Sequence, residues 1–135
     1  MTDLLKYPPK ILVAFGAAVD GNRDIQEWLL KNGYPELAAL AYAVRGSDEA
    51  FTWLLNNGYP HLAALDSAID ENQKAYQWLK DNNFHSHIVF ADACQDKKEA
   101  VEWLMKNHLE SIFRITRVIK KLRDSHTFDY HKLHF

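Results

Sequence analysis

The four tryptophans of the chain lie at one constant spacing. They are Trp28, Trp53, Trp78 and Trp103, each 25 residues after the one before. The same shift aligns three further sets of identical residues: Ala18, Ala43, Ala68 and Ala93; Leu29, Leu54, Leu79 and Leu104; and Asn32, Asn57, Asn82 and Asn107. Self-similarity at a period of this length is the signature of a repeat protein. The chain is therefore predicted to be an array of 25-residue units.

Each unit has the hydrophobic pattern of two short helices. In the second unit, apolar residues at 37, 40, 43 and 44 and then at 50, 53 and 54 follow helical spacing. A turn residue and an Asn or Ser N-cap separate the two helices in three units, and Asn-Gly, Asn-Asn or Asn-His ends the second helix. The predicted helices are near 10–20, 22–32, 35–45, 47–57, 60–70, 72–82, 85–95, 97–107 and 109–123, and no strand is predicted.

A hairpin this short cannot bury both of its faces alone, so neighbouring units must stack. The predicted fold is therefore all-α: an α-solenoid of stacked helical hairpins with about nine short helices. One repeat domain is expected at 9–123, made of units 9–33, 34–58, 59–83 and 84–108 and a capping helix 109–123, with an N-terminal extension 1–8 and a tail 124–135. Because a tryptophan can bury roughly 150–250 Å², the four rings are expected to be the main source of cohesion.

Composition and charge narrow the class of protein. The 135 residues are 47% hydrophobic and 25% charged, as expected for one soluble domain, and a net charge of −2 argues against a general affinity for nucleic acid. The longest apolar stretches, 11–19 and 37–44, are far shorter than the roughly 20 residues of a membrane span. The first residues lack the pattern of a secretory signal. A cytoplasmic protein without membrane contact is predicted.

The second half of the unit resembles an ankyrin repeat. Residues 43–58 read Ala-Val-Arg-Gly-Ser-Asp-Glu-Ala-Phe-Thr-Trp-Leu-Leu-Asn-Asn-Gly, in which the first Gly, the Glu, the Leu pair and the final Gly coincide with the family pattern. Segments 24–33 and 99–107 repeat part of it, and the resemblance extends over about 9–123. It implies an array that recognises proteins through the outward face of its first helices.

Two departures from the ankyrin pattern matter. The Thr-Pro-Leu-His signature is replaced by Leu-Ala-Ala-Leu at 37–40. The unit is also shorter than an ankyrin repeat by about the length of the family's projecting β-hairpin, which implies an array without that loop. The alternative interpretation is a solenoid of α-hairpins unrelated to ankyrin repeats, which would have the same architecture.

The proposed binding residues are the positions of the first helix that differ between units. Constant positions maintain the stack, whereas a ladder of differing side chains at equal intervals is what an extended recognition surface requires. The sequence thus favours a non-enzymatic interaction module, a monomer or weak homodimer, that binds a protein partner of unknown identity. The predicted contact residues are Tyr42, Arg45, Asp66, Ser67, Asp70, Asp92 and Gln95.

The alternative is a nucleic-acid or anion binder that uses the last helix. Residues 109–135 carry a net charge of +3, against −5 for the rest of the chain. Arg114, Arg117 and Lys121 are the candidate anion-binding residues on this helix. The same charges are also typical of a capping helix with a polar outer face.

Enzymatic and metal-binding functions have weaker support. Asp66, Asp70 and Asp92 could together hold a cation or act as catalytic acids, but solvated carboxylates are the simpler interpretation. The histidines lack zinc-ligand spacing, and His87 aligns with leucines, so it is predicted to be partly buried. Cys94 aligns with Val19, Val44 and Ile69 and is predicted to be a buried, inert thiol. No enzyme activity, cofactor or metal is predicted.

Overall fold

The computed structural model describes the backbone of residues 3–133 and the side chains of residues 3–125. Within 3–133 the chain forms nine α-helices, a short 3-10 helix at Leu4–Lys6 and no strand, which confirms the all-α prediction. The α-helices are α1 Pro9–Val19, α2 Arg23–Lys31, α3 Pro35–Val44, α4 Asp48–Asn56, α5 Pro60–Ile69, α6 Gln73–Asp81, α7 His85–Cys94, α8 Lys98–Lys106 and α9 Glu110–Leu133.

Repeated capping residues fix the helix ends. The side-chain oxygens of Asn22, Ser47 and Asn72 each accept a hydrogen bond, at 3.0–3.1 Å, from the backbone amide three residues later. At the other end of α2, α4, α6 and α8, the Nδ2 of the aligned asparagine donates to the carbonyl of the tryptophan four residues earlier, at 2.7–2.8 Å. Asn83 and His108, the residues after these asparagines, adopt positive φ.

The first helices of the units pack side by side and close into a ring. Helices α1, α3, α5 and α7 contact each other in chain order, and α9 packs against both α7 and α1. These five are called the inner helices. The outer helices, α2, α4, α6 and α8, lie around the ring, each against the inner helices before and after it in the chain. A linear solenoid has two ends, whereas the inner helices within the described residues form a closed ring.

Closure depends on α9, which takes the place of a fifth first helix. Its Ile112, Ile115 and Ile119 are buried, and they align with the buried Leu12, Phe15 and Val19 of α1. At the seam between α1 and α9, a Cβ added to Gly16 would lie 3.1 Å from Cγ1 of Ile115. The absence of a side chain at Gly16 therefore lets these two helices approach closely.

The tryptophans are not the main source of cohesion, so that prediction is wrong. Trp28 and Trp53 are 44% and 36% exposed, whereas the leucines that follow the four tryptophans are fully or almost fully buried. An outer helix turns one narrow face towards the ring, and the leucine occupies it. Two of the tryptophans stack on the aromatic residue six positions later: Trp53 on Tyr59 and Trp78 on Phe84, each at 5.8 Å.

The N-terminal extension is packed, and the last helix is longer than predicted. In the N-terminal extension, Leu4 is buried and Asp3 accepts a hydrogen bond from Ser86 at 3.0 Å, so this segment packs against α7. Helix α9 does not end near 123 but continues to Leu133, into the predicted tail. Side chains beyond 125 lie outside the described residues. Among the described helices, none combines the length and the apolar character needed to cross a membrane.

Candidate partner-binding groove

A groove separates the first two outer helices. Helices α2 and α4 make at most marginal contact with each other, and α3 forms the floor between them. The open groove has a volume of about 390 Å³. It is called the first groove, and its lining residues are Gln26, Glu27, Leu30, Pro35, Ala38, Ala39, Tyr42, Ser47, Glu49, Ala50 and Trp53.

The first groove combines exposed apolar walls with acidic groups. Leu30, Tyr42 and Trp53 are 57%, 47% and 36% exposed and line the same groove, so together they form an exposed apolar patch. Small residues of α3, including Ala38 and Ala39, form the floor. The charged residues of the lining are Glu27 and Glu49, both exposed. The lining of the groove thus combines apolar side chains with two acidic groups.

Gln26 is an unpartnered polar residue in this lining. Its side chain is only 4% exposed, and its Nε2 has no hydrogen-bond partner among the described residues. A buried amide donor without an acceptor costs about 1–3 kcal/mol. The aligned positions of the other units carry Phe51, Tyr76 and Val101, so the glutamine is the polar exception in an apolar set. Because this nitrogen is itself shielded from solvent, a ligand carbonyl in the groove would reach it only after the Gln26 side chain rotates.

The equivalent groove between α6 and α8 is organised differently. There Tyr76 takes the position of Gln26 and Asp92 that of Tyr42, and the Tyr76 hydroxyl donates to the Asp92 carboxylate at 2.7 Å. Gln95 donates to the Tyr76 oxygen at 2.6 Å, and Lys97 lies 3.2 Å from Asp92. The polar groups of that groove therefore satisfy one another, whereas the first groove keeps a free donor and two carboxylates.

The seven predicted contact residues do not share one free surface. Tyr42 lies in the first groove. Arg45 and Gln95 instead reach the preceding inner helix, where they donate to the carbonyls of Val19 at 2.8 Å and Ala68 at 2.9 Å. These two residues satisfy carbonyls at helix C-termini and stabilise the contact between units. Asp66, Ser67, Asp92 and Gln95 are half-buried, and Arg45 and Asp70 are exposed.

The three candidate catalytic or cation-binding acids have separate environments. Burial raises the pKa of the Asp66 carboxyl to about 7, and the negative charges of Asp70 and Asp48 add to this shift. Asp70 lies 3.3 Å from the Arg123 guanidinium. Asp92 is bound by Tyr76 and Lys97. Within the part of the chain that the structure describes, no group of three His, Cys, Asp or Glu side chains is placed to hold a metal.

The predicted anion site on the last helix is largely used within the fold. Arg117 donates to the Ala93 carbonyl at the end of α7 and to Asp96 at 2.7 Å. Arg114 is exposed in a shallow second groove at the α1 and α9 seam, which also includes the oppositely charged Asp20. Lys121 is exposed. The structure therefore does not gather Arg114, Arg117 and Lys121 into one cationic site.

Cys94 is buried, as predicted, and His87, predicted to be partly buried, is completely buried. His87 is fully buried next to the buried His61, with ring centroids 5.6 Å apart. Burial lowers the pKa of both imidazoles to about 4. Burial also raises the pKa of the Cys94 thiol, which disfavours the reactive thiolate.

Of the seven predicted contact residues, Tyr42 lies in the lining of the first groove and the other six do not, and sequence reasoning did not select the remaining lining residues. Gln26, Glu27, Leu30, Glu49 and Trp53 belong to outer helices, whereas the search for contact residues was confined to first helices. The signal that could have found them is the break in the repeat at Gln26. Comparisons with protein-family models, curated proteins and solved structures find no match to this chain.

Proposed function

We propose that the protein is a non-enzymatic interaction module that binds a protein partner in the first groove. The observation that carries this proposal is the group of three exposed large apolar side chains, Leu30, Tyr42 and Trp53, over a floor of small residues. Tyrosine and tryptophan are enriched among the residues that dominate binding energy at protein interfaces. The ring supplies a preformed scaffold, and recognition requires no chemical step.

The size of the groove indicates a short partner segment. Helices α2 and α4 have nine residues each, so they are about 13 Å long at 1.5 Å per residue. That length accommodates about two turns of a partner helix or about four residues of extended chain. The partner is therefore expected to contribute a short peptide segment.

Location and ancestry form part of the same proposal. A cytoplasmic location is supported by the sequence's single cysteine, Cys94, which is buried and has no disulfide partner. A relationship of the hairpin unit to ankyrin repeats is supported by the motif at 43–58.

A random 12-residue peptide library displayed on phage, selected on the immobilised full chain, tests the proposal. The expected result is a set of peptides whose affinity falls at least about 30-fold in Tyr42→Ala, the size of effect typical of an aromatic hot spot. Ser67→Ala, at the equivalent position one unit later, is the matched control and should bind normally. Selected peptides that bind Tyr42→Ala as well as the wild type would contradict the proposal.

A further inference from the structure

The equivalent grooves between outer helices differ in charge. The first groove has Glu27 and Glu49. At the equivalent positions one unit later stand Thr52 and Lys74, and two units later Gln77 and Glu99. The last of these grooves also carries Lys80 and Lys97, at the positions of Leu30 and Ser47. Among the three sets of equivalent positions, the first groove is thus the one with acidic residues and no basic residue.

The two carboxylates of the first groove have no cation of their own. Neither Glu27 nor Glu49 takes part in an ion pair among the described residues, although Asp70, Asp92 and Asp96 are paired elsewhere. Unpaired acids next to exposed aromatic rings attract a positively charged ligand, because both the carboxylate and the aromatic face stabilise a cation. The same acids repel an anionic ligand such as nucleic acid.

We propose, on the basis of the function proposed above, that the partner segment is a basic peptide. It has a large apolar side chain that packs against Tyr42 and Trp53, and adjacent Lys or Arg residues that pair with Glu27 and Glu49. A main-chain carbonyl of the peptide accepts a hydrogen bond from Nε2 of Gln26, whose side chain rotates towards the groove on binding. Each feature matches a group that the chain leaves exposed or unpartnered.

Charge reversal with a repeat-matched control tests the cationic part. The best peptide from the library is measured by fluorescence polarisation against Glu27→Lys/Glu49→Lys and against Glu99→Lys/Glu102→Lys. Both double variants change the net charge equally. In the control, Glu102 of α8 aligns with Glu27, and Glu99 of α8 aligns with Glu49. We expect enriched Lys and Arg in the peptides, a loss of affinity of at least about 10-fold in the first variant, and less than about 3-fold in the control.

The outcomes separate this inference from the function on which it depends. Peptides that require Tyr42 but are neutral or acidic, or that tolerate the Glu27→Lys/Glu49→Lys change, would overturn the basic-peptide assignment and leave the groove function intact. Equal losses in both charge-reversed variants would overturn it as well, because they would reflect net charge alone. Peptides that do not require Tyr42 would overturn both proposals.

Gln26→Met tests the hydrogen bond separately. Methionine fills a similar volume without a donor, so the free protein should unfold at a higher denaturant concentration than the wild type. The same variant should bind the selected peptide about 5-fold more weakly. Unchanged peptide affinity in a stabilised variant would remove Gln26 from the binding site.

Discussion

The half-buried Asp66 and the buried His87 occupy positions where the repeat otherwise has small or apolar side chains. Asp66 aligns with Gly16, Ala41 and Ala91, and His87 aligns with Leu12, Leu37 and Leu62. Burial favours the neutral form of each, which raises the pKa of the carboxyl and lowers that of the imidazole. The free energy of unfolding should therefore depend on pH in opposite directions at the two positions.

Asp66→Ala should stabilise the protein, and more so at pH 8 than at pH 5. The folded pKa of about 7 lies above the ordinary value of 3.8, so the cost of ionising Asp66 in the fold grows as pH rises and levels off above 7. We expect the gain to be larger at pH 8 by about 2–3 kcal/mol. Urea unfolding of both proteins at the two pH values measures it; an equal gain at both would contradict the raised pKa.

His87→Leu restores the residue type of the aligned positions and should stabilise the protein most in acid. The pKa of His87 in the folded protein, about 4, lies below the ordinary value of 6.5. Between these two pH values the imidazole binds a proton more readily in the unfolded chain, so stability is lost as pH falls. The increase in the free energy of unfolding should be larger at pH 5 than at pH 7.5 by about 2 kcal/mol. Urea unfolding at these pH values is the measurement, and a gain independent of pH would argue against a neutral buried imidazole.

Alignment of the units predicted the environments of some residues and not of others. The burial of Cys94 and His87 followed from the apolar residues at their aligned positions. The exposure of Trp28 and Trp53 did not follow from the alignment. In each unit a tryptophan and a leucine are adjacent and both recur, and the repeat alone does not show which of the two side chains faces the ring. The lack of a hydrogen-bond partner for Gln26 results from the packing of residues from different helices around it, and the sequence alone does not give that packing.

At the scale of helices, contacts to C-terminal carbonyls join one inner helix to the next. Arg45 reaches Val19 of α1, Gln95 reaches Ala68 of α5, and Arg117 reaches Ala93 of α7. A positive charge near a helix C-terminus is also favoured by the helix dipole. The side chains that vary between units thus help to hold the inner helices together, in addition to any role on the surface.

Arg117→Met should destabilise the protein by roughly 1–3 kcal/mol, because it removes the donors to Ala93 and Asp96 while it keeps an apolar side chain on α9. Arg114→Met, on the same helix but exposed, is the control and should change stability by less than about 0.5 kcal/mol. Guanidinium unfolding measures both. Equal effects would show that the guanidinium of Arg117 contributes nothing specific.

Helix positions were the most predictable level of the structure. Eight of the predicted helices end within about two residues of their observed ends, because N-caps, turn glycines and asparagines mark them locally. The length of α9 was missed because no Gly, Pro or other strong stop signal follows Arg123. The predicted end relied on the loss of the repeat pattern, which does not stop a helix.

At the scale of the molecule, each hairpin is narrower on the side of its inner helix than on the side of its outer helix. The inner helices carry the aligned, buried Ala18, Ala43, Ala68 and Ala93, which allow close approach, whereas the outer helices α2 and α4 are held apart. Five inner helices suffice to close the circle. The sequence predicted which units are neighbours, but not the angle between them, so it did not predict closure.

Gly16→Leu tests the closed seam. The new side chain would collide with Ile115 across the seam, so we expect a loss of at least about 2 kcal/mol. Ile115→Ala in the same chain should recover part of this loss, and a double-mutant cycle measured by thermal unfolding would detect the coupling. In an open array Gly16 and Ile115 would lie at opposite ends and their effects would be additive.

The closed ring also restricts how such a protein can diverge. A linear array tolerates duplication or deletion of a module, since a new terminal module only lengthens it. In a circle, one hairpin more or fewer would change the angle at every junction simultaneously. Hairpin number is therefore fixed by geometry, and new specificities have to arise through exchange of side chains on the outside.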